Sequence, residues 1–141
     1  MQKYKNIGHI AIRTADIDVC LDFYCKRLGF TEAFRMYDDD GKLSTVYLNI
    51  APGQFIEIFP NGIEKQETKS KGIGYCHLCL EVENAAEAFK TLSAAGIPID
   101  REPKTGKSKC IMFWTHDPDG NSIEIMELPP ESLQVKSQPE R

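Results

Sequence analysis

The chain has 141 residues, 41% hydrophobic and 27% charged, with a formal net charge of −4 and a pI of about 5.4. That is the balance of an ordinary globular protein with enough chain for a real core. Its acidity excludes nucleic acid as the main partner, because phosphate binding needs a basic face. No apolar run reaches the length of a membrane span, and "MQKYKNIGHI" lacks the apolar stretch of a signal peptide, so no membrane partner and a cytoplasmic location are expected.

The first element is a strand over residues 8–14, "GHIAIRT", alternating and β-branched. Ile10 and Ile12 share one face; His9, Ala11 and Arg13 share the other. The stretch "TADIDVCLDFYCKRLGF" predicts an amphipathic helix capped by Thr14 or Asp16 and ended by Gly29. Three strands follow. "FTEAFRMY" ends in the Asp38-Asp39-Asp40-Gly41 turn, "KLSTVYLNI" at Pro52-Gly53, and "QFIEIF" at Pro60-Asn61-Gly62. Residues 63–71 are polar and without period, so a linker or surface loop is expected there.

The pattern then recurs. "IGYCHLCLEV" reads as a strand, "ENAAEAFKTLSAAG" as a helix closed by Gly96, and "IPIDRE" as a short strand. "SKCIMFWTHD" and "NSIEIMEL" flank Asp117-Pro118-Asp119-Gly120, a strong hairpin signal. Residues 129–141 read as a frayed tail. Each half is thus βαβββ, over about 7–61 and 73–128, and together they make one α+β domain.

The five cysteines, Cys20, Cys25, Cys76, Cys79 and Cys110, are odd in number and expected to be reduced in a cytosolic chain. Cys76 and Cys79 have CxxC spacing, but strand positions three apart face opposite ways. Small buried hydrophobes is the preferred reading for most of the five.

Laid over each other, the halves match His9 with His77, Gly29 with Gly96, and Glu57 with Glu124. Glu57 follows His9 by 48 positions (57 − 9) and Glu124 follows His77 by 47 (124 − 77). Each glutamate sits between isoleucines, on the face opposite the core. Two imidazoles and two carboxylates suit a divalent first-row ion such as Zn, Ni, Co or Fe(II), with two octahedral positions left for water or substrate. A single strand His or Glu is ordinarily just solvated; the matched placement of four makes them a candidate ligand set. His116, beside the Asp117 turn and without a counterpart in the first half, is read as a turn-edge residue.

"HIAIRT", "LDFYCKRLGF", "FIEIFPNG", "YCHLCLEVENAAEAF" and "DPDGNSIEIME" together resemble the vicinal-oxygen-chelate superfamily and, within it, short bacterial-type glyoxalase I. The resemblance covers about residues 7–128. It implies curved mixed sheets with helices on their convex faces, and a homodimer whose sites are shared between subunits. It implies a metal set of His9, Glu57, His77 and Glu124, holding Ni or Co in preference to Zn because the longer zinc-type insert is lacking. It further implies Glu124 as the base, with Glu57 across the metal. Arg13, Asn61 and, in "EPKTGKSK", Lys104 and Lys107 fall where the family binds the carboxylates of glutathione. The implied reaction converts the hemithioacetal of methylglyoxal and a thiol to the lactoyl thioester. Similar acyl-coenzyme A epimerases usually have Gln at the place of Glu57, thiol transferases use three protein ligands, and binding proteins of the fold sequester drugs without chemistry.

Overall fold

The computed structural model describes residues 4–65 and 72–138. The chain divides into two compact units, Met1–Gln66 and Glu67–Arg141. Each is a βαβββ unit carrying one four-stranded mixed sheet.

In the first unit β1 (His9–Arg13) precedes α1 (Ile17–Leu21), which runs on as a π-helical segment, Asp22–Arg27. Strands β2 (Thr31–Tyr37), β3 (Leu43–Ala51) and β4 (Gln54–Phe59) follow, in the sheet order β1-β4-β3-β2. β1 lies parallel to β4 and the other pairs are antiparallel. Asp16, not Thr14, caps the helix: its Oδ1 accepts from the amides of Asp18 (3.0 Å) and Val19 (3.1 Å). The expected α period holds for little more than a turn. Leu28 N–H then donates to Phe23 O (2.9 Å), the wide i→i+5 turn of a π segment. That turn buries the adjacent rings of Phe23 and Tyr24, edge to face at 5.1 Å. Gly29, at φ +90°, makes the exit. Val46, Leu48, Ile56 and Ile58 are fully buried, so alternation along β3 and β4 selects the core face as expected.

In the second unit β5 (Leu78–Val82) leads to α2 (Ala85–Ala94), β6 (Arg101–Thr105), β7 (Ile111–His116), β8 (Ser122–Glu127) and a one-turn helix, α3 (Leu133–Lys136). The order is β5-β8-β7-β6, again with the first and last strands parallel. Asn84 caps α2 by accepting from the Glu87 amide (2.9 Å), and Gly96 leaves it at φ +73°. α2 packs on β6, β7 and β8, where Phe89 meets Phe113 edge to face at 5.6 Å. The β7–β8 hairpin is pinned by the buried Asp117 carboxylate. It accepts from the amides of Asp119 (3.0 Å) and Asn121 (2.8 Å) and from the Asn121 side chain (2.8 Å).

Four expectations shift. The strand expected over "IGYCHLCLEV" begins only at Leu78, so His77 stands immediately before β5. Its partner β8 starts at Ser122, out of the Asp117 turn, and offers no ladder to residues further upstream. The strand expected at "IPIDRE" is β6, from Arg101: Ile97 is buried and its amide is tied back to Leu92 O (3.0 Å). Lys104 therefore lies in a strand and not in a loop. In the stretch expected to fray, Ser132 is buried and caps α3 through Val135 N–H (3.4 Å). Residues 66–71 of the expected loop, and 139–141 of the tail, lie outside the described residues. Among the described residues all five cysteines are free thiols, and only Cys20 and Cys110 are buried, so the reading of most as small buried hydrophobes does not hold. No helix among the described residues is long and apolar enough to cross a membrane.

Candidate functional site

Each unit brings one histidine and one glutamate together by the same register. In the first, the parallel ladder sets Ala11 opposite Glu57, and His9 stands two residues before Ala11. In the second, Cys79 is opposite Glu124, and His77 stands two residues before Cys79. Two residues is one strand repeat, so each imidazole shares a face with its carboxylate. His9 Nε2 lies 3.4 Å from Glu57 Oε2, and His77 Nε2 lies 3.2 Å from Glu124 Oε2. The carboxylates are nearly covered (side chains 13% and 11% exposed) while the imidazoles are open (47% and 35%). The histidine on the polar face of β1 thus has a carboxylate partner on the neighbouring strand β4.

The middle strand of each sheet supplies a further residue at the matching place. β3 sets Tyr47 opposite Glu57, and β7 sets Trp114 opposite Glu124. The Tyr47 ring meets His9 edge-on at 5.7 Å and stacks on Phe34 at 4.5 Å. The Trp114 ring meets His77 edge-on at 4.8 Å and lies under the Arg101 guanidinium at 5.9 Å. Sequence reading missed both aromatics. The signal was available, since each falls ten residues before its glutamate (57 − 47 and 124 − 114) in an alternating strand. The acceptor side differs as well. Desolvation and the Glu57 carboxylate across the ladder raise the Tyr47 phenol above its usual range. In the second unit desolvation and the Glu124 carboxylate across the parallel ladder push Cys79 up to about 12.

Arg13 shares the His9 face. Its Nη1 donates to Pro60 O (3.0 Å) and its guanidinium lies over the Phe59 ring at 5.1 Å. Asn61 adopts left-handed backbone, φ +61°, directly after Pro60. Lys107 is exposed in the turn after β6, and Lys104 is exposed on β6 itself. His116 closes β7, with Nδ1 within 2.8 and 2.9 Å of the two Asp100 carboxylate oxygens. It does have a positional counterpart, since Asn49 occupies the same place on β3, two residues beyond Tyr47. Among the described residues no three His, Cys, Asp or Glu side chains converge; the donors come as pairs, one to a unit.

The family model described as Glyoxalase/Bleomycin resistance protein/Dioxygenase superfamily matches residues 6–125. A lactoylglutathione lyase of Escherichia coli O157:H7 is 34% identical over 125 residues, which are 84% of this chain and 90% of that one. A lactoylglutathione lyase of Salmonella typhi is 32% identical over the same shares. A solved glyoxalase family protein from Enterococcus faecalis shares the fold, with a TM-score of 0.76 at 24% identity over 88% of this chain and 98% of that one.

Proposed function

The chain belongs to the glyoxalase/bleomycin resistance protein/dioxygenase superfamily, and from that premise we propose that it is a metal-dependent lyase. Its substrate is the hemithioacetal of methylglyoxal and a glutathione-type thiol, and its product is the lactoyl thioester. The observation that carries this reading is the duplicate His–Glu pair, in the same register in both units and with nearly equal Nε2–Oε2 separations of 3.4 and 3.2 Å. Donors about 2.1 Å from a common ion and at right angles to each other stand about 3.0 Å apart. The pairs therefore fit two cis positions each, and imidazole with carboxylate is the donor chemistry of a divalent first-row ion. His9, Glu57, His77 and Glu124 would hold the ion, with Ni or Co preferred to Zn. In the family such sites are completed between the subunits of a homodimer, which this reading adopts.

When bound, the ion supplies Lewis acidity to the two vicinal oxygens of the substrate. The chain's own residues do the rest. Glu124 accepts the proton from C1 and returns it to C2, so the conversion is an isomerisation with no other reactant. The near-complete cover of Glu124 keeps that carboxylate from bulk water. Arg13, already aimed by Pro60 O and Phe59, holds a carboxylate of the thiol in a charge-assisted hydrogen bond. Asn61, Lys104 and Lys107 complete the binding of the thiol's polar ends.

The test is metal analysis of the purified protein, followed by assay of hemithioacetal turnover on samples reconstituted with Ni, Co or Zn. Stoichiometric metal and metal-dependent thioester formation are expected. Turnover that survives complete chelation, or no turnover with any thiol, overturns the assignment.

A further inference from the structure

The tail that follows β8 turns back onto the second unit. Ser132 is fully buried, and its amide donates to Pro129 O (2.8 Å). The next amide, Leu133 N–H, donates to Ser108 O at 2.9 Å. Ser108 stands 25 positions earlier (133 − 108), in the turn between β6 and β7. That turn is closed by Gly106 N–H on Cys110 O (2.9 Å) and by Lys109 N–H on Gly106 O (3.0 Å). The Cys110 thiol adds a weak bond to Ser108 O at 3.9 Å. The Leu133 side chain is exposed, so its amide, not its side chain, ties the tail to the turn.

The turn so held carries cations. Lys107 and Lys109 flank Ser108, both exposed, and Lys104 stands just before on β6. Among the described residues none of these three lysines is in an ion pair. Lys109 adopts left-handed backbone, φ +62°, where glycine fits without strain. Lys104 pairs with Met112, one strand repeat from Trp114, so it shares the face of Glu124. The end of the turn at Cys110 is about 13 Å of strand from Trp114. An extended tripeptide spans about 10–11 Å, and a lysine stem covers the rest.

We propose that residues 129–137 are a strap: through the Leu133 amide they fix the turn in which Lys107 and Lys109 hold a carboxylate of the thiol. The inference rests on the glutathione-type reading above and deepens it. It adds Lys109 to the residues that bind the thiol, and it makes the backbone of the tail a positioning element. A free turn loses backbone and side-chain freedom when it closes on an anion. A turn tied beforehand loses less, so the strap acts on affinity and leaves the proton transfer alone.

Leu133→Pro removes the donor and little else. Leu133 opens α3, and Ser132 before it is extended (φ −63°, ψ 146°); these are the backbone states that proline and its predecessor favour. Binding of S-methylglutathione, which carries both carboxylates and no free thiol, is measured by calorimetry beside KM and kcat for the hemithioacetal. Leu133→Pro should weaken binding and raise KM about 10-fold, the worth of one hydrogen bond to a charged group, with kcat unchanged. Gln134→Ala, one exposed residue further on, is the control and should stay within about twofold. In a Lys107→Ala, Lys109→Ala background, Leu133→Pro should change binding by about twofold or less. Should Leu133→Pro fold poorly, Ser132→Gly, which deletes the side-chain cap of α3, goes through the same measurements. Unchanged affinity in the folded strap variant, or a loss that persists without the two lysines, overturns the inference while the thiol reading stands. A wild-type protein that neither binds S-methylglutathione nor turns over hemithioacetal overturns both.

Discussion

The two units place the same two side chains by the same register and surround them differently. At the place of Arg13 in the first unit the second has Glu81, and Phe59 is answered by Met126. The covered donors are common to both: the carboxylates are 13% and 11% exposed. The open positions one strand repeat away differ even in sign of charge. A pair that only needs to hold an ion can be duplicated, whereas a substrate with one anionic end asks for a cation on one side only.

Three substitutions with their counterparts, and a fourth at the edge of the first sheet, break or sharpen that comparison. The largest effect is expected at the carboxylates. Metal-loaded Glu124→Gln should lose about 10²–10⁴-fold in kcat, the worth of a positioned base, because the amide oxygen still coordinates but takes no proton. Glu57→Gln should lose less in kcat at saturating metal. Near-normal turnover of Glu124→Gln, with metal content measured per site, moves the base to Glu57.

The cores differ next. Phe113 and Val46 occupy matching, fully buried places one residue before Trp114 and Tyr47. Phe113→Ala should destabilise by about 3–5 kcal/mol through lost contacts and a cavity. Val46→Ala should cost no more than about 1.5–3 kcal/mol, the burial of a valine side chain. Urea midpoints at unchanged slope measure both. Equal costs would mean that the second sheet recloses around the missing ring.

Arg13 and Glu81 come third. Arg13→Ala should raise KM about 10-fold or more with little change in kcat or metal content, since a hydrogen bond to a charged group is worth about 1.5–3 kcal/mol. Glu81→Ala should leave KM within twofold. Loss of metal from Arg13→Ala would instead give the guanidinium a part in holding the His9–Glu57 pair.

The smallest effect belongs to the edge of the first sheet. On β2 Arg35 grips Glu32 through two bonds, 2.6 and 2.8 Å, and holds its carboxyl below the usual value of 4.5. A folded-state value below the unfolded one stabilises above pH 4.5, and that gain is lost as the pH falls below it. Both side chains are more than a third exposed, so Arg35→Ala should cost less than about 1 kcal/mol at pH 7 and nothing in acid. A larger or pH-independent loss would point to packing of the arginine stem.

Much of this was legible in the chain, and the parts that were not share a cause. Alternation found β4 to the residue and both glutamates on the face opposite the core, because half-buried strands advertise their faces. The Asp117 turn was equally plain, being local hydrogen-bond chemistry. The starts of β5 and β6 were not legible, since each is set by where a distant strand begins or by a buried Ile97. The π turn at residues 22–27 escaped for the same reason. Tyr47 and Trp114 looked like ordinary strand aromatics; their matched ten-residue spacing to the glutamates was a signal left unread, and the ladder sets both across from the glutamates.

The parallel pairing of first and last strands has a consequence in time. His9 and Glu57, like His77 and Glu124, sit at opposite ends of their units, so each donor pair closes a loop of nearly fifty residues. Such a closure is among the most expensive in chain entropy and among the slowest to form. During synthesis each histidine is made well before its glutamate, at about 5–20 residues per second. For those seconds the nascent unit holds one donor and no partner. The pair is therefore a late event of folding in each half, and under the proposed function an ion held there would report that the whole unit, last strand included, has closed.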